Sequence, residues 1–262
     1  MPFLLLAAPI AASLWRMWTR SIWDNGHGVF VPPLMAYFAA RALRRESVTY
    51  EEPSRWGYAF LLPALTLVAI DGVIKTDYLR AIGLMLCLPG LSLLLLGPSR
   101  TRALRFPLVF SFFMLPVPPA LLTPIIHEHL RVFTAASTEW LLHLLRRPAL
   151  AEGTILQLPH GMFHVVDECS GFAALYASIT IALALAHLSH SRARRVLLLA
   201  VAAPLALGSN VLRVTLLAIL AESRGYGILA TPIHVASGYA TFVVSLGLLF
   251  LFAEHGHRRS AR

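Results

Sequence analysis

Arg195-Val196-Leu197-Leu198-Leu199-Ala200-Val201-Ala202-Ala203-Pro204-Leu205-Ala206-Leu207-Gly208-Ser209-Asn210-Val211-Leu212-Arg213 begins and ends on arginine with no charge between. As a helix rising ~1.5 Å per residue it covers roughly 27 Å, nearly the ~30 Å hydrocarbon thickness of a bilayer. Its apolar run continues to residue 221. The stretch reads as a membrane span, and it carries an arginine inside it.

The rest of the chain has the same character. Hydrophobic residues make up 57% of it and charged residues 13%, with a mean hydropathy of +0.69, well above the apolar share of a soluble domain. Further apolar stretches lie at roughly 29–43, 57–74, 78–97, 103–122, 170–189 and 235–253. The segment Phe3–Trp18 resembles a signal peptide in length, but it lacks a basic leader and a small-residue cleavage site. Trp15 and Trp18 give it an aromatic interfacial end, so it reads as a retained span. The expected fold is all-α: a polytopic bundle of about eight transmembrane helices in one integral membrane domain over residues 1–262.

The net charge of +9 does not point to nucleic acid, because the arginines are spread over short loops. Arg41, Arg44, Arg45 and Arg55, then Arg100, Arg102 and Arg105, then Arg192, Arg194 and Arg195, and the tail Arg258, Arg259 and Arg262 fall in alternate connections. The positive-inside rule makes these cytoplasmic and puts both termini inside. The segment 123–168 is then extracytoplasmic, between spans five and six. It holds an amphipathic helix around Leu130–Leu145 and a short hairpin in which Thr154–Leu158 and Met162–Val166 flank Pro159-His160-Gly161. Pro116, Pro118, Pro119 and Pro124 end the fifth span.

Three polar groups fall near the outer ends of successive spans. Arg213 costs about 2.5–3.5 kcal/mol at a helix centre on insertion scales, and such residues mark function or pair with a carboxylate such as Asp167 or Glu168. Asn210 shares its helix face. Cys169, in Asp167-Glu168-Cys169-Ser170-Gly171, stands at the wet start of the sixth span, unlike Cys87, which lies mid-span. A helix N-terminus and a guanidinium lower a thiol pKa, whereas two neighbouring carboxylates raise it. His234 opens the eighth span; alone it is an ordinary interfacial histidine, and with Cys169 and Arg213 it becomes a candidate acid–base. His127-x-His129 and His160-x-x-x-His164 do not form a HExxH helix, so no metal or other cofactor is expected. Ser170 lacks the Gly-x-Ser context of a rhomboid-like protease.

These residues resemble the exosortase/archaeosortase family of membrane cysteine transpeptidases. The resemblance lies in Glu168-Cys169-Ser170-Gly171, in Asn210-Val211-Leu212-Arg213 and in His234 followed by Gly238. It extends to Leu14-Trp15 through Trp23-Asp24, His27-Gly28 through Pro32, and Phe106-Pro107 through Pro118. The chain departs from the family pattern at Phe172-Ala173 and at Asn25-Gly26.

The resemblance implies a catalytic set of Cys169 as nucleophile, Arg213 as oxyanion stabiliser and His234 as general acid and base, supported by Asn210, Ser170 and Gly171. It implies acyl transfer on the extracytoplasmic side of the inner membrane. The partners would be membrane lipid and exported proteins that end in a short motif such as Pro-Glu-Pro, a transmembrane helix and a basic tail. A cysteine protease that releases its substrate to water, and a non-enzymatic component of exopolysaccharide assembly, are the alternatives.

The arginine pattern predicts that reporter fusions at Arg45, Arg102 and Arg194 stay cytoplasmic while a fusion at Arg147 is translocated. A cytoplasmic Arg147 fusion would contradict the topology.

Overall fold

The computed structural model describes residues 2–19, 26–45, 52–118 and 122–259. Among these, helices dominate. Four are long and apolar enough to cross a membrane: Arg55–Ile74, Tyr78–Ala103, Arg192–Arg224 and Pro232–Ala253. Arg105–Met114 and Phe172–Leu188 are apolar but shorter. Helices occupy the expected positions, and among the described residues four of them, not the expected eight, have full crossing length. Trp23, Asp24, Asn25, Pro119 and Arg262, which entered the sequence argument, lie outside the described residues.

The chain falls into two compact units, residues 1–118 and 119–262. The first holds α1 (Pro2–Thr19), α2 (Val31–Arg45), α3 (Tyr58–Ile74), α4 (Tyr78–Ala103) and α5 (Arg105–Phe110). α3 and α4 form a tight hairpin because α4 offers glycines where α3 comes closest. A Cβ on Gly83 would stand 2.8 Å from the Ala64 carbonyl oxygen, and one on Gly90 2.9 Å from Leu61 Cγ. Small residues at such contacts let helix backbones approach when lipid supplies no hydrophobic drive between them.

The tip of this hairpin is polar. Asp71 is fully buried, accepts a hydrogen bond from Thr76 Oγ1 and pairs with Arg80 at 3.3 Å. Arg16 of α1 pairs with Asp77 at 2.9 Å, and Ser13 donates to the same carboxylate. Cys87 sits half-buried within α4.

Two helices end where the backbone requires it. α4 breaks at Gly97 (φ 80°, ψ 174°), just before Pro98. The expected span 103–122 is cut short. α5 passes into a 3-10 turn at Ser111–Met114, and Leu115 is already extended (ψ 131°), the conformation that a following proline imposes.

The second unit holds α6 (Glu128–Leu144), a three-stranded antiparallel sheet of β1 (Leu150–Glu152), β2 (Ile155–Leu158) and β3 (Gly161–His164), then α7 (Phe172–Leu188), α8 (Arg192–Arg224) and α9 (Pro232–Arg259). α6 is the expected amphipathic helix. It buries Thr134, Ala135, Thr138 and Leu142 and leaves Phe133, Trp140 and Leu144 outside. The expected hairpin is β2–β3, and β1 adds a third strand.

α8 is 33 residues long, so at ~1.5 Å per residue it spans roughly 50 Å and outruns the hydrocarbon core. The sheet is fastened to its C-terminal end. There Glu222 accepts hydrogen bonds from the His160 backbone N–H (3.1 Å), and its carboxylate lies 2.8 Å from His160 Nδ1. Beneath the sheet, Leu156, Phe163 and Val165 pack with Ala135, Leu142, Val214, Leu217, Ala218 and Cys169 into one core.

Candidate active site

Cys169 ends a 3-10 turn, Asp167–Cys169, that joins β3 to α7. The turn is closed by Cys169 N–H donating to the Val166 carbonyl (2.8 Å) and Ser170 N–H donating to the Asp167 carbonyl (3.0 Å). Gly171 then adopts φ +83°, and a Cβ there would lie 2.8 Å from Asn210 Cγ and Nδ2. A left-handed backbone and an absent side chain are thus both needed where the chain passes Asn210.

Asn210 Nδ2 donates to the Cys169 carbonyl at 2.8 Å and to Thr134 Oγ1 at 3.4 Å. It therefore anchors the backbone at Cys169. Ser170 Oγ accepts from the Phe172 N–H at 3.3 Å, and its carbonyl accepts from Thr134 Oγ1 at 3.5 Å, so Ser170 shapes the start of α7.

The three functional groups come together. Cys169 Sγ is 3.7 Å from His234 Nε2. Arg213, buried on α8, donates through Nε to Ser237 Oγ (3.1 Å), through Nη1 to the Glu168 carbonyl (3.2 Å) and through Nη2 to the His234 carbonyl (3.3 Å). Nη2 also lies 3.5 Å from His234 Nε2. A guanidinium can only donate, so in this contact Nε2 serves as the acceptor. The same nitrogen faces the Cys169 thiol.

A guanidinium has five N–H donors, and three are committed to Ser237, Glu168 and His234. A fourth makes the 3.5 Å contact with His234 Nε2, and the fifth, the second proton on Nη1, has no acceptor among these contacts.

The alternative of an Arg213 ion pair is not what the structure contains. Asp167 pairs with Arg131 at 3.0 Å, and Glu168 offers Arg213 its backbone oxygen. Gly238 lies against the guanidinium, where a Cβ would make ordinary contact at 3.5 Å.

The thiol also differs from the wet one expected. Cys169 is 0% exposed, covered by the core under the sheet. Burial pushes its pKa up, the Arg213 guanidinium pulls it down and the Glu168 carboxylate raises it, with a net upward shift. The resting site therefore holds a thiol beside an imidazole.

Sequence reasoning missed Ser237 and Thr134. Ser237 Oγ donates to the His234 carbonyl at 2.6 Å while accepting from Arg213, so it ties the guanidinium to the first turn of α9. The spacing His234-x-x-Ser237 was a usable signal, since residues three apart share a helix face. Thr134 carried none. Among the described residues, no group of His, Cys, Asp and Glu is placed to hold a metal ion.

A cysteine and a histidine in hydrogen-bonding reach beside a buried guanidinium, carried on apolar helices of membrane-crossing character, define an integral membrane protein with a Cys–His–Arg site. The chain belongs to the transmembrane exosortase family, whose model matches residues 4–251. No curated protein and no solved structure matches it.

Gly171→Ala is expected to lower abundance and detergent thermal stability. A left-handed non-glycine residue costs about 1–2 kcal/mol, and the clash with Asn210 adds to that. Parental stability in this variant would mean that the turn does not need its φ. In a Cys87→Ala background, iodoacetamide alkylation of Cys169 should be slow at neutral pH and should climb only above the ordinary thiol range. Arg213→Ala should move the climb to still higher pH, because the charge that favours the thiolate is gone; mass spectrometry of the Cys169 peptide reads both. A climb at lower pH in Arg213→Ala would contradict the assigned influence.

Proposed function

We propose that this exosortase is a membrane-embedded cysteine transpeptidase that cuts a carboxy-terminal sorting signal of exported proteins on the extracytoplasmic side of the inner membrane and transfers the new carboxyl to a surface acceptor. The observation that carries the reading is the 3.7 Å separation of Cys169 Sγ from His234 Nε2, with the Arg213 guanidinium beside both. The family match runs across both compact units, which supports treating the chain as one integral membrane domain. The same match supports substrates that are exported proteins, here those ending in a motif, a transmembrane helix and a basic tail.

The chemistry balances over two half-reactions. His234 Nε2 takes the proton of the Cys169 thiol as the sulfur attacks the scissile peptide carbonyl. The carbonyl oxygen becomes an oxyanion, and the uncommitted donor of Arg213 stabilises it. Removal of one such donor typically costs 10²–10³-fold in turnover. Collapse breaks the C–N bond; the amine leaves with the proton from His234, and a thioester remains on Cys169. The acceptor nucleophile then gives its proton to His234 and attacks the thioester, and Cys169 leaves and regains its proton.

Arg213→Lys should fold yet lose roughly 10²–10³-fold in turnover, because an ammonium keeps the charge but not the planar fork that holds Glu168, Ser237 and His234 together. If Arg213 were only a structural cation, the lysine variant would process substrate like the parent. His234→Ala should stop release of product, and full turnover in that variant would remove it from the reaction. The mass of the released protein separates transfer from hydrolysis: an adduct supports transfer, and a free carboxylate contradicts it.

A further inference from the structure

β3 ends five residues before Cys169, and one of its edges is open. The sheet order is β1-β2-β3, so among the described residues β3 pairs only with β2. Register pairs Phe163 with Leu156 and His164 with Ile155, and the Val165 N–H donates to the Thr154 carbonyl at 2.9 Å. Antiparallel pairs alternate between bonded and non-bonded. Gly161, Phe163 and Val165 therefore turn their backbone groups to β2, while Met162 and His164 turn theirs to the free edge. The opposite edge of the sheet, β1, lies against α6.

Side chains alternate in the same rhythm. Phe163 and Val165 are buried in the core that contains Cys169, whereas Met162 is 63% exposed, Val166 is 42% exposed, and His164 is exposed as well. An open strand edge is a template for another extended chain. This edge is short, four residues, and among the described residues no further strand pairs with it just before Cys169.

We propose that the β3 edge is the docking strand for the substrate: an extended segment of the sorted polypeptide next to the scissile bond adds as a fourth strand beside Met162 and His164. The inference rests on the acyl-transfer reading above. Two N–H donors and two carbonyl acceptors on β3 fix the register of the guest backbone, which gives affinity with little demand on sequence. Met162 and Val166, at alternate positions on the open face, meet the guest side chains and provide selection. At ~3.3 Å per residue, a guest residue opposite His164 lies about 7 Å from the level of Val166, where the chain turns into the Asp167–Cys169 turn. Pairing thus sets which carbonyl reaches the sulfur. A second copy of this chain gains nothing from ending at that turn, whereas a substrate does.

The test uses a reporter protein ending in Pro-Glu-Pro, a transmembrane helix and an arginine cluster. With Met162→Cys in a Cys87→Ala, Cys169→Ala full-length enzyme, cysteines are placed one by one along the reporter segment at the cleavage site. Disulfide cross-links at every second position are expected. Links of helical period, no preferred position, or links only between two enzyme copies would overturn the proposal.

In the active enzyme, His164→Pro should raise KM about tenfold while leaving Cys169 alkylation and protein yield unchanged, because the His164 N–H does not serve β2. An unchanged KM in folded His164→Pro also overturns edge docking. Processing that persists in Cys169→Ala, by contrast, would sink the acyl-transfer reading itself, so the two failures are distinguishable.

Discussion

The buried guanidinium of Arg213 is the constraint around which the second unit is arranged. A charge in a membrane helix is costly unless its donors find acceptors, and the backbone carbonyls of α8 serve the helix itself. The acceptors come from its neighbours: the Glu168 carbonyl before α7, and Ser237 with the His234 carbonyl in the first turns of α9. Satisfying one cation therefore draws three helices to one point. The thiol and the imidazole arrive there as a consequence.

A second contact fixes the depth of the thiol. Asn210, one turn before Arg213, holds the Cys169 carbonyl, and Gly171 lets the chain pass close enough for that bond to form. Phe163 and Val165 from the sheet then close over the sulfur together with Val214 and Leu217. The hairpin is thus part of the site's wall. Its fastening at Glu222 and its open β3 edge belong to the same construction.

The polar landmarks were legible in the sequence because each breaks a local rule: an arginine inside an apolar run, a cysteine before Ser170-Gly171, a histidine opening a span. Helix positions were equally legible from apolar runs and arginine borders. Other features were not. The strand β1, Leu150-Ala151-Glu152, has no β-branched residue to announce it. Burial of Cys169 arises from side chains of α6, α8 and the sheet, which no local pattern reports. Thr134 and Ser237 are ordinary hydroxyls until the fold supplies their partners. Apolar composition also overstated span length, since Leu115 leaves the helix under the restraint of Pro116.

The central claim is that Cys169 carries the acyl group. Its most direct test is intact and peptide-level mass spectrometry of the parent enzyme, acid-quenched during turnover of a sorting-signal reporter protein. The account predicts that any acyl adduct retained by the enzyme maps to the peptide containing Cys169, is discharged by hydroxylamine, and is lost when Cys169→Ala is added. An adduct on another residue, or reporter cleavage by enzyme lacking Cys169, would contradict it.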